Sequence, residues 1–146
     1  MGVSDVRDLD TFKLAREFKR RVYALVRAHP QAYSDLKYRS QLWDACASGE
    51  SNIDEGFKRC NPGMFAQFLT SSRASLSEAV CRVEDGVDRG YFSAEIAAPV
   101  LALGDRALRA TAGLQRSQER YAAARKRARS RRAPRSATPQ RTTPRT

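Results

Sequence analysis

The sequence is poor in the residues that build most catalytic and metal centres. Across 146 residues it has one histidine, His29, and three cysteines, Cys46, Cys60 and Cys81. The cysteines form no C-x-x-C pair, so no zinc constellation arises from spacing. Their odd number, without a secretory leader, argues against a disulfide framework and for reduced thiols. A nucleophilic cysteine would need a base beside it, and His29 stands next to Pro30, where a helix must end. No uncharged apolar run approaches the roughly 18 residues that cross a bilayer, and MGVSDVRDLD has neither a basic n-region nor an apolar h-region. The expectation is a soluble, cytoplasmic, non-enzymatic protein without metal or cofactor. Six prolines and eight glycines are too few for a disordered chain, and 41% hydrophobic content suits one core.

Acidic residues are missing from one place in particular. Of 27 Lys and Arg, ten lie in residues 120–146, where there is no Asp or Glu. The remaining 17 nearly balance the 16 acids of residues 1–119. A block of like charge repels itself, and Pro134, Pro139 and Pro144 keep its second half from folding alone. The sequence therefore divides into a flexible start at 1–7, a folded unit at 8–119 and an Arg-rich tail at 120–146. The start of the tail can continue a helix, and the remainder is expected to be disordered. Tyr121 and alanines are its apolar material up to residue 133, too little to insert into a membrane.

Four helical segments fill the folded unit. Phe12, Leu14, Phe18, Val22, Leu25 and Val26 form one stripe over residues 8–28. After a cap at Ser34 or Asp35, Leu36, Leu42, Cys46, Ile53 and Phe57 point inward until about Cys60. Asn61-Pro62-Gly63 supplies a turn, a cap and a first-turn proline. The third segment runs to about Asp88 with Phe65, Phe68, Leu69, Leu76, Ala79, Val80, Val83 and Val87 on one side. Gly90 ends it and Ser93 caps the fourth, which carries Ile96, Val100, Leu103, Ala107, Leu108 and Leu114. No period-two run of β-branched residues interrupts the pattern, and short connections make neighbours antiparallel. The predicted fold is all-α, an up-and-down antiparallel four-helix bundle.

Within the second segment, SNIDEG (51–56) breaks the apolar stripe. At about 100° per residue, Gln41, Ser48, Asn52 and Glu55 line up beside the inward arc. In the third segment Ser71, Ser75, Glu78 and Arg82 do the same. Two such seams can hydrogen-bond across a helix pair or a subunit boundary and fix register. Gly49 and Gly56 flank Ile53 and let a neighbour come close, at about 1 kcal/mol each in helix propensity. Glu55 and Glu78 could divide acid and base roles or join a di-metal site, but the histidines of Glu-x-x-His motifs are missing. They read as assembly residues. Trp43, at the edge of the apolar arc, is a candidate interface anchor, and with Tyr38 and the seams to spare the bundle is expected to self-associate.

DLDTFKLA, Pro30 and Tyr33, Gln41-Leu42, Ala45, Ser48, SNIDEG, Phe65 with Phe68-Leu69, Ser75-Leu76 with Glu78, and Gly90-Tyr91-Phe92 together resemble the four-helix-bundle family of 23S rRNA-intervening sequence proteins. The resemblance covers about residues 8–119. That family is similar to the accessory proteins of diversity-generating retroelements, basic bundles that assemble as pentamers and act with a reverse transcriptase and its RNA. The resemblance implies a non-enzymatic bundle, a homopentamer, associated with nucleic acid or with a nucleic-acid enzyme. Two positions depart from the pattern. Trp43-Asp44 replace an Arg-Arg pair, and Gly49-Glu50 replace Ile-Pro before the SNI element. Basic charge has left the body there, which moves the expected RNA or DNA contact to Arg120, Arg125, Lys126, Arg127, Arg129, Arg131, Arg132 and Arg135. Arginine-rich arms bind phosphate backbones without sequence preference. The competing expectation is a protein-interaction bundle whose tail plays no part in binding nucleic acid.

Overall fold

In a computed structural model, residues 2–133 are described, and they are all-α. A short 3-10 turn, Val6–Asp8, precedes five α-helices: α1 (Asp10–Arg27), α2 (Pro30–Ser34), α3 (Leu36–Lys58), α4 (Pro62–Asp88) and α5 (Ala94–Arg132). The caps are chemical. Asp35 accepts a hydrogen bond from the Tyr38 amide at 3.0 Å, Asn61 from Met64 at 3.1 Å and Ser93 from Ile96 at 3.2 Å. Each satisfies one of the amides that a helix start leaves without a partner. Pro62 follows Asn61 at the first turn, and Gly90, at φ 78°, occupies the left-handed conformation that ends α4.

Helix α1 packs on α3 and α5, and α4 packs on the same two. Between them lie Phe18, Val22, Val26, Leu42, Ile53, Leu69, Leu76 and Val83, all fully buried. Each such side chain contributes roughly 1.5–3 kcal/mol relative to exposure. Among the described residues no helix is long and apolar enough to cross a membrane.

The closest approach joins α3 to α4. A Cβ on Gly49 would stand 2.6 Å from Leu76 Cδ2, and one on Gly56 would stand 2.7 Å from both Phe65 Cδ2 and Phe68 Cβ. The buried Ser72 hydroxyl donates to the Gly49 carbonyl at 2.6 Å. The glycines around SNIDEG are therefore a packing device: they admit a leucine and two phenylalanines where a side chain would collide.

Three expectations about single residues change. Leu36 and Ile96, placed inward by periodicity, are 66% and 50% exposed, each in the first turn of its helix where core neighbours do not reach. Tyr38 is not spare surface. It is buried, its hydroxyl donates to the Arg82 carbonyl at 2.7 Å, and its ring meets Tyr91 edge-on. The five-residue α2 is too short to show periodicity, and its one buried residue is Ala32.

Thiol chemistry checks this packing. Cys46 is buried, and loss of solvation pushes its thiol up to about 12, while Cys60 and Cys81 are exposed. Two thiols of the native protein should react with an aromatic disulfide reagent near neutral pH, and the third only on unfolding. Three equally fast thiols would contradict the placement of α3.

Candidate nucleic-acid interface

The polar seam is divided between two roles. The hydroxyls of Ser48 and Ser75 meet at 3.0 Å across α3 and α4, and Asn52 Nδ2 donates back along its own helix to the Ser48 carbonyl at 2.8 Å and hydroxyl at 3.1 Å. These three residues form one connected network within the chain. The carboxylates turn away from it. Glu55 pairs with Arg59 at 2.6 Å and Glu78 with Arg82 at 3.7 Å, each four residues along its own helix. Gln41 is half-buried in a polar cleft of about 370 Å³ with Asp35, Lys37, Tyr38, Arg82 and Arg89. There Asp35 accepts from the Tyr91 hydroxyl at 2.6 Å, and that bond first, then the Tyr38 amide and Arg89, hold its carboxyl below the usual range.

One polar group in the body escaped sequence reasoning. Glu50 is buried on α3, where Arg16 donates to its Oε1 from Nε at 3.2 Å and from Nη2 at 3.0 Å, and Lys19 Nζ lies 2.5 Å from Oε2. The partners are more than thirty residues apart, beyond any local pattern. Glu50 thus bridges two α1 cations, offsetting one of their two charges, and ties α1 to α3.

The basic tail begins as a continuation of the bundle. Helix α5 is unbroken from Ala94 to Arg132. Ala122 is half-buried beside Asn61, Pro62 and Gly63, in a cleft of about 190 Å³ whose remaining wall is Arg125, Lys126 and Arg129. Beyond Ala122 every described residue is exposed. Arg120, Arg125, Lys126, Arg127, Arg129, Arg131 and Arg132 all lie on this helix, whereas Arg135 and the part of the tail expected to be disordered lie outside the described residues. At about 100° per residue, Arg120, Arg127 and Arg131 share one face, Arg125, Arg129 and Arg132 another, with Lys126 between. Arg109 and Arg116 continue the first face onto the body, so the stripe from Arg109 to Arg131 runs about 33 Å. No acid follows Glu119. Like charges four apart, such as Arg125 with Arg129 and Arg127 with Arg131, repel by about 0.2–0.5 kcal/mol each, partly offset by their favourable place at a helix C-terminus. A polyanion laid along this helix removes that repulsion.

Residues 7–113 match the family described as 23S rRNA-intervening sequence protein. The chain belongs to that family. No curated protein matches it. The family match ends before Arg116, so the exposed basic part of α5 lies beyond the segment that defines 23S rRNA-intervening sequence proteins. The residues at 49 and 50 have local partners. Gly49 makes room for Leu76, and Glu50 pairs with Arg16 and Lys19. Trp43 packs on the Tyr23 ring at 4.7 Å and near Tyr33 at 6.3 Å.

Proposed function

We propose that this member of the 23S rRNA-intervening sequence protein family is a non-enzymatic, oligomeric, up-and-down four-helix bundle that holds nucleic acid, RNA or DNA, along the basic extension of α5. The observation that carries the reading is that extension: an exposed helix with seven cations and no acid after Glu119. Such a helix meets phosphates through charge, without reading bases, and each contact releases counterions. Oligomerisation multiplies the arms on one particle and raises avidity without new contacts. A reverse transcriptase of a diversity-generating retroelement is the partner that the family resemblance supports, with the bundle presenting RNA to it. The lone exposed carboxylates of Glu55 and Glu78, paired with their own arginines, fit an assembly surface better than an acid–base pair.

The family's name supports a second reading, a structural bundle carried by an rRNA intervening sequence, with no nucleic-acid role of its own. Gene context separates the two: a neighbouring reverse transcriptase gene with a template repeat favours the first, and a position inside a ribosomal RNA gene the second.

Assembly is testable by light scattering. The protein should scatter as a multiple of its 16.3 kDa chain mass, with five subunits expected, and a monomer across micromolar concentrations would contradict it. Asn52→Leu, which breaks the Ser48–Asn52–Ser75 network inside the chain, should disturb helix register or subunit number more than it lowers helical content, and an unchanged oligomer with unchanged melting would make Asn52 a surface residue only.

A further inference from the structure

Helix α1 carries Lys13, Arg20 and Arg27 at intervals of seven, all exposed. The other α1 cations that pair do so with Glu50 (Arg16 and Lys19) or with Glu17 (Arg21). Among the described residues Lys13, Arg20 and Arg27 form no salt bridge. Their spacing makes a straight stripe of about 21 Å along the outside of the bundle.

The stripe ends on aromatic rings. The Arg27 guanidinium lies 5.5 Å from the Trp43 ring and 5.9 Å from Tyr23; that of Arg39 lies 4.2 Å from Tyr33 and 5.7 Å from Trp43. Tyr33 is 45% exposed, and Arg39 is fixed on it by donating to the Tyr33 carbonyl at 2.8 Å. Trp43 Nε1 is buried without a hydrogen-bond partner. Two guanidiniums over these rings give the cluster a flat, positively charged outer surface. A two-fold pairing of this face with itself would set these cations against each other, whereas a ring of five would set it against a different face of its neighbour, an outcome that titration of Trp43 emission reads out. Unpaired cations in a row, followed by a tyrosine–arginine stack, complement a chain of phosphates that ends in an unstacked base.

We propose that the α1–α2–α3 face is a second nucleic-acid surface, specific for single strands. Lys13, Arg20 and Arg27 contact the phosphates, and the Tyr33–Arg39 pair stacks a base. The inference rests on the proposed function only for its ligand class and does not involve the α5 extension. A duplex meets these cations through the same charge but offers no free base face to the Tyr33–Arg39 pair, so the preference for single strands comes from the stack.

The chain has one tryptophan, so its emission reports on this face alone. The full chain is titrated with end-labelled single-stranded oligouridine and with an RNA duplex of equal length, reading Trp43 emission and label anisotropy together. The single strand should shift Trp43 emission and the duplex should not. Tyr33→Ala should weaken single-strand affinity about tenfold, the scale of one stacked base, abolish the emission change and leave duplex affinity within about twofold, while Arg20→Glu with Arg27→Glu, which removes phosphate contacts, should weaken single-strand affinity at least as much. Tyr33→Phe, which keeps the ring, should restore binding, and circular dichroism checks each fold. Single-strand anisotropy without an emission change, or unaltered by these variants, overturns this surface and leaves the α5 reading intact. No anisotropy change with any oligonucleotide overturns both. Emission that follows protein concentration instead of oligonucleotide gives the face to a second copy of the chain and overturns the inference.

Discussion

A chain ending at Glu119 should keep its helical signal and lose affinity for RNA and DNA by on the order of a thousandfold at low salt. The truncation removes the seven cations of the α5 extension together with Arg135, Arg141 and Arg145. It leaves a body with 17 basic and 16 acidic residues. The buried residues of α5, Ala97, Val100, Gly104, Ala107 and Thr111, all precede the cut, and the half-buried Ala122 beside Asn61, Pro62 and Gly63 is the bundle contact that goes with the extension. Circular dichroism is the folding control, and a filter-binding or anisotropy titration gives the affinity. Unchanged affinity in the shorter chain would move the phosphate contacts to the body.

The second large effect concerns the core. Phe18 is fully buried on α1, and its ring occupies the space that Gly104 leaves open on α5, where a Cβ would stand 2.8 Å from Phe18 Cε2. Phe18→Ala removes the ring without a side chain opposite to fill the gap. The expected cost is about 3–5 kcal/mol, against a total stability of roughly 5–15 kcal/mol for a domain. Urea unfolding should show it as a lower midpoint with a similar slope. A loss below about 1 kcal/mol would mean that α1 and α5 do not meet at this point.

Much of this fold is legible in the sequence because it is written in local chemistry. Asn61-Pro62, Ser93 and Gly90 mark helix ends through hydrogen bonds and backbone geometry that involve only their immediate neighbours, and the structure places boundaries there. Gly49 and Gly56 signal close packing because glycine in a helix interior is costly without a reason. Periodicity fails where it cannot see neighbours. Leu36 and Ile96 have inward wheel positions but sit in first turns, outside the reach of the core. Tyr38 looks like a surface aromatic until its hydroxyl meets a carbonyl 44 residues away. The Arg16–Glu50–Lys19 ion group and the clustering of Tyr23, Tyr33, Trp43, Arg27 and Arg39 are also tertiary. Trp43 stood out at the edge of the apolar arc, but the rings and guanidiniums around it did not, since they come from three helices. The basic composition of the tail is plain in the sequence. That its start can continue a helix is legible too, and α5 runs through Tyr121 without a break to Arg132.

The salt dependence of binding separates the α5 extension from the rest of the surface when the full chain is compared with a variant in which Arg125, Lys126, Arg127 and Arg129 are changed to glutamine. Log affinity for a single strand should fall by about 0.7 per phosphate neutralised for each decade of salt, and by about 0.9 on a duplex. If all seven helical cations are engaged, the full chain should approach a slope of about −5 on a single strand. The variant should lose roughly four contacts' worth of that slope while keeping its circular dichroism spectrum. Equal slopes and equal affinities for the two proteins would contradict the assignment of the α5 extension as the nucleic-acid-binding element.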